Sequence, residues 1–207
     1  MGLFSSNDNE PVRPMSGIGR PLGVIEHFTR HQSEFTLKLR EKKLSITGDD
    51  YEITTPDGRV FFVMKGKVFS LRSRKLLCDA QGHPIVNIQD KIFTFFKQFR
   101  IFPGEREEPE ICHVKQHFKM IGEKLTVHFT NFDGQEVELL VKGSFIDKHA
   151  EIYLGDIPVA RINRKFMNVG QILFDQQTYY LTVAPGVDIA MMTAVCVCLD
   201  EVANDKD

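Results

Sequence analysis

The 207-residue chain has no tryptophan, only four cysteines, no surplus of basic residues and no apolar run long enough to cross a bilayer. Each scarcity excludes something. Four cysteines do not make a disulfide scaffold and no secretory apolar segment opens the chain, so a reducing, cytoplasmic setting is expected. With 26 Lys and Arg against 28 Asp and Glu, the formal charge is -2. That excludes a globally basic nucleic-acid binder, though not a local basic face. The longest apolar stretch, Ile189 to Leu199, is interrupted only by Thr193. It would rise about 16 Å as a helix, well short of a transmembrane span. Serine-nucleophile elbows, phosphate-binding loops, dinucleotide fingerprints and zinc-protease motifs are all missing, so neither an enzymatic activity nor a cofactor is expected. Phenylalanine, by contrast, is abundant: seventeen residues, a type that favours strands and cores.

Apolar residues recur mostly at every second position. Phe35, Leu37 and Leu39 alternate with Thr36, Lys38 and Arg40, and Leu125, Val127 and Phe129 with Thr126, His128 and Thr130. Turn signals at Asp57-Gly58, Gln81-Gly82, Asp133-Gly134 and Gly155-Asp156 divide these runs, predicting a mainly β, antiparallel barrel or sandwich. A faint repeat supports closure. The stretch from Asp57 resembles that from Asp133, Pro84–Ile88 resembles Pro158–Ile162, and Phe99–Gly104 resembles Leu181–Gly186. Two meanders completing one sheet would leave no exposed edge. The proline- and glycine-rich residues 1–22 read as a flexible tail, 23–203 as one domain and 204–207 as an acidic tail. A helix is predicted over about 187–201, opened by Pro185-Gly186 with Asp188 in its first turn. Being apolar on every side, it must be buried on every side, as the filling of a barrel.

Tyr51-Glu52-Ile53, Asp57-Gly58-Arg59-Val60-Phe61, the stretch Leu76 to Ile85, Gly186 to Ala190 and Leu199-Asp200-Glu201 resemble, in order and spacing, the LURP-one-related (LOR) proteins. The similarity covers roughly residues 28 to 202. It implies a tubby-like fold: a closed antiparallel twelve-stranded barrel around a hydrophobic C-terminal helix, shared with tubby domains and phospholipid scramblases. It further implies phosphoinositide or other membrane-lipid binding from the superfamily, and a link to defence from the plant members. One departure is the absent tryptophan, with Phe95, Phe96 and Phe99 in the region where the family commonly carries it. No residue-by-residue match exists to the tubby phosphoinositide site or the scramblase calcium segment.

Charge gives the local candidate. From Arg59 to Arg100 nine basic residues face two acidic ones, so this fifth of the chain is strongly positive while the remainder is negative. Within it Lys65, Lys67, Arg72, Arg74 and Lys75 are the predicted contacts to anionic phospholipid or phosphoinositide headgroups. A solvated outer wall, or an acidic protein partner on a soluble interaction scaffold, would use the same charges. Met1-Gly2-Leu3-Phe4-Ser5-Ser6 fits the N-myristoylation pattern at Gly2, an expected aid to peripheral binding at the plasma membrane. Metal ligation is not expected. Cys196 and Cys198 would point to opposite sides of a helix, and His113 and His117 would stand too far apart on a strand. Asp57, Asp79 and Asp133 are read as turn residues rather than catalytic carboxylates.

Overall fold

The computed structural model describes residues 14–40, 51–67, 74–91, 94–117, 124–144, 149–163 and 178–204. Twelve strands follow one another: β1 (Phe35–Arg40), β2 (Tyr51–Thr54), β3 (Val60–Lys67), β4 (Arg74–Asp79), β5 (Pro84–Asp90), β6 (Gln98–Pro103), β7 (Cys112–His117), β8 (Lys124–Thr130), β9 (Glu136–Ser144), β10 (His149–Leu154), β11 (Ile157–Asn163) and β12 (Thr178–Val183). Each pairs antiparallel with its chain neighbours, and β12 returns to β1 to close the barrel. The predicted closed antiparallel twelve-stranded barrel is therefore observed.

The two-residue period decides what faces inward. On β9 the buried positions are Val137, Leu139 and Val141, alternating with exposed or half-exposed neighbours. Together with Leu37, Ile53, Phe62, Leu77, Val86, Ile101, Val127 and Leu181 they form one core. Inside it lies α1 (Ile189–Asn204), in which every residue from Ile189 to Asp200 is buried. Without that helix the barrel would hold a void; without the barrel the helix would expose apolar surface all round. The hydroxyl of Thr193 is satisfied by the carbonyl of Ile189 at 2.7 Å, one turn back.

The repeat maps onto halves of the barrel. Asp57-Gly58 turns β2 into β3 and Asp133-Gly134 turns β8 into β9; Pro84 and Pro158 lie on β5 and β11; the third pair lies on β6 and β12. Every correspondence is six strands. Register shifts occur at Leu77/Cys78 beside Pro84 and at Ile152/Tyr153 beside Pro158. Proline has no N–H for the ladder, which suits such a bulge. The turns 55–59, 79–83 and 131–135 share one hydrogen-bond pattern, each with a positive-φ glycine fourth.

These turns lie at one end of the barrel, where α1 also enters. Asp188 is the N-cap of the helix rather than a first-turn residue. Its carboxylate accepts from the Met191 N–H at 3.0 Å and from the N–H groups of Val24 and Ile25 at 3.1 and 2.8 Å. Residues 14–22, expected in a tail, are docked at this end instead. Leu22 is fully buried and Met15 nearly so. The Leu22 N–H donates to the Gly186 carbonyl at 2.9 Å, and the Asp188 N–H to the Leu22 carbonyl at 2.8 Å. Gly23, at φ 154°, passes so close that a Cβ there would stand 2.1 Å from that of Asp188. The physical reason is buried backbone: the helix N-terminus needs acceptors, and the incoming segment needs partners for its own N–H groups. Residues 1–13, Gly2 among them, lie outside the described residues.

Candidate anion-binding surface

Paired residues of an antiparallel sheet share a face, so register assigns sides. Lys67 pairs with Arg74, Arg74 with Gln89, Gln89 with Arg100, Arg100 with His113, His113 with His128 and His128 with Glu138. One position along, Ile88, Ile101, Val114, Val127 and Leu139 belong to the core. The row Lys-Arg-Gln-Arg-His-His-Glu therefore runs along the outer wall from β3 to β9. It starts at the barrel end opposite the tight turns and drifts across the wall, as tilted strands require.

The predicted site residues divide on this geometry. Lys67 takes its place by backbone register, and Arg74 stands beside it. Lys65 is also on the outer face, but its Nζ leans 3.4 Å from the Gly82 carbonyl, toward the tight turns. Lys75 is on the other side of β4, opposite the core residue Ile88, and its ammonium pairs with Glu201 in the last turn of α1. It is thus not brought to the outer surface. Arg72 lies outside the described residues. Arg100 and His113 join the row although they were not among the predicted contacts. The alternations Phe99-Arg100-Ile101 and Cys112-His113-Val114 marked both as outward-facing; only strand register could align them with Arg74.

An acidic connection between β6 and β7 lies over this wall. Asn87, fully buried, holds it by donating from Nδ2 to the carbonyls of Gly104 and Arg106, both at 2.8 Å, and accepts from Gln89 Nε2 at 2.9 Å. Arg74 donates to the Glu105 carbonyl. Arg100 Nε stands 3.9 Å from Glu110, too far for a hydrogen bond, and its guanidinium lies 5.3 Å from the centre of the Phe102 ring. His113 contacts Glu110 at 2.9 Å and Gln98 at 3.2 Å. Arg100, Phe102, Glu107, Glu108, Pro109 and Glu110 line an open cleft here. Two groups stand out: Arg74 Nε and Arg100 Nε are both shielded from solvent and have no hydrogen-bond acceptor among the described residues. They stand on β4 and β6, in register on either side of Gln89.

Other chemistry is less developed. His117 and His128 both meet the Thr126 hydroxyl, at 2.8 and 3.0 Å. Burial, reinforced by Lys115 and Lys124, lowers the His117 pKa. Among the described residues no three His, Cys, Asp or Glu side chains are grouped to hold a metal. The four cysteines are buried and form no disulfide, and burial pushes the thiols of Cys112 and Cys198 well up. Asp79 and Asp133 accept from backbone N–H groups within their own turns, as turn residues do. No described helix is long and apolar enough to cross a membrane.

A family model for LURP-one-related proteins matches residues 35–200. The chain belongs to the LURP-one-related family. Among its relatives is Protein LURP-one-related 15 of Arabidopsis thaliana, 28% identical over 175 residues, spanning 82% of this chain and 80% of that protein. Protein LURP1 of the same plant is 27% identical, spanning 80% and 83%. A bacterial protein, Uncharacterized protein YxjI of Bacillus subtilis (strain 168), is 22% identical over 83% of this chain and 96% of its own length. An X-ray structure of an Arabidopsis thaliana protein shares the fold, with a TM-score of 0.63 and 23% identity over 86% of this LURP-one-related chain and 96% of that one.

Proposed function

We propose that this LURP-one-related protein is a non-enzymatic binding protein that docks reversibly on anionic membranes, phosphoinositide-bearing ones included, through the basic row of its outer wall. The observation that carries this reading is the strand register that lines up Lys67, Arg74, Arg100 and His113 along one outer row. Lipid phosphates would meet the outward basic side chains of this row, each of which contributes about 1 kcal/mol near an anionic surface. Acylation at Gly2 would add the second anchor that reversible membrane binding generally requires. The protein would then sit peripherally, on the cytoplasmic face of the plasma membrane.

The test is co-sedimentation with phosphatidylcholine vesicles with and without phosphatidylserine or phosphoinositide. Binding to the anionic vesicles should weaken as salt rises, and the double variant Arg74→Glu, Arg100→Glu should lose it. Retained binding by that variant, shown by its melting curve to be folded, would overturn the reading. One contact favours a second interpretation, a scaffold for an acidic protein segment: Glu110 already stands against Arg100 and His113. Salt-sensitive capture of an acidic peptide, with no vesicle binding, would select it.

A further inference from the structure

Phe95 is 98% exposed, the extreme among the large apolar side chains described. It sits in the β5–β6 connection, at the barrel end where the basic row begins. Hydrogen bonds tie the ends of this connection to the neighbouring strands. The Lys91 N–H donates to the Gln98 carbonyl at 2.8 Å, the Thr94 hydroxyl to the Lys91 carbonyl at 3.1 Å, and the Gln116 N–H to the Lys97 carbonyl at 2.9 Å. The Phe96 ring meets that of Phe95 edge-on, centroids 5.5 Å apart. The aromatic ring is thus exposed to water beside hydrogen-bonded ends of the connection.

Among the described residues two other large apolar side chains are exposed, Phe132 at 41% and Ile157 at 46%, both at the tight-turn end. Their chain neighbours are Asp133 and Asp156, which an anionic surface repels. Phe95 instead lies between Lys91, which is exposed, and Lys97, which also pairs with Asp90 at 3.7 Å. An aromatic tip flanked by lysines suits the membrane–water interface, where the ring enters the acyl boundary and the ammonium groups meet headgroups.

Resting on the docking function proposed above, we infer that Phe95 is the inserting anchor of that contact: the protein meets an anionic bilayer with its β5–β6 end, Phe95 entering the interface while Arg74 and Lys91 face the phosphates. The tight-turn end points away from the membrane.

Because the chain has no tryptophan, Phe95→Trp gives a single fluorescent reporter in the full-length protein. On phosphatidylcholine–phosphatidylserine vesicles its emission should shift to the blue and be quenched by brominated lipid, whereas a Phe132→Trp reporter should do neither. Phe95→Ser should weaken vesicle binding about tenfold. If the protein co-sediments while the indole of the Phe95→Trp variant stays water-exposed and the serine variant binds normally, the anchor is refuted and the docking function stands. If neither protein nor variants bind anionic vesicles, both are refuted.

Discussion

The two ends of the barrel solve opposite problems. At the tight-turn end three connections are the matched turns 55–59, 79–83 and 131–135, α1 enters, and the segment from Met15 to Ile25 is hydrogen-bonded across the opening. Asn131 accepts from the Gly23 N–H at 2.8 Å, and Arg20 pairs with Asp133 at 3.0 Å. At the other end α1 finishes with Glu201 held by Lys75. In sequence, the connections joining strands there carry eight of the seventeen phenylalanines. One end is closed by the docked segment and the helix cap, whereas the other carries the exposed ring of Phe95. Stability and binding should therefore separate, and the contrast can be attacked from either side.

The largest effect should come from Gly23→Val. A side chain there collides with Asp188 in a backbone conformation that disfavours it, so a loss of at least about 3 kcal/mol by chemical denaturation is expected. Leu199→Ala, inside the barrel, should cost about 3 kcal/mol through its cavity. Either loss being negligible would mean that the seal or the filled core is misassigned.

Asp188 gives a pH signature. Burial raises its pKa to about 6, although the N–H groups of Met191, Ile25, Val24 and Ala190 pull the other way. The folded protein thus binds this proton more tightly than the unfolded chain. The contribution is fully present below about pH 4 and is lost as pH rises through about 6, on the order of 3 kcal/mol in all. Wild-type stability measured relative to Asp188→Asn should fall across that window; a flat difference would contradict the buried cap.

Smaller effects belong to the outer wall. Glu107→Gln, Glu108→Gln and Glu110→Gln together should tighten binding to anionic vesicles, by about 1 kcal/mol per charge removed near the surface, with little change in melting temperature. Arg20→Glu, at the tight-turn end, should leave vesicle binding unchanged. A large loss there would place the contact at the wrong end.

Much of the architecture was legible because it follows from local pattern. The alternation at Leu125–Thr130 gave β8, the Asp-Gly pairs gave turns, and an apolar run too short for a membrane gave a helix that had to be enclosed. What was not legible depends on distant partners. Leu22 and Met15 are isolated apolar residues among glycines and prolines, and the groups that hold this segment, Gly186, Asp188 and Asn131, lie more than 100 positions away. On β4, Leu76, Leu77 and Cys78 are consecutively buried, which masks the alternation that would have sent Lys75 inward. The partnership of Arg74 with Arg100 needed the registers of three strands. Composition located the positive stretch; only pairing could turn it into a surface.

The central claim, that one end binds and the other seals, is tested most directly by hydrogen exchange of the full chain with and without phosphatidylcholine–phosphatidylserine vesicles. The account predicts added protection in peptides covering 91–98 and the start of β4, with 14–31 and 131–135 unchanged. Protection confined to the tight-turn end in vesicle-bound protein would contradict it.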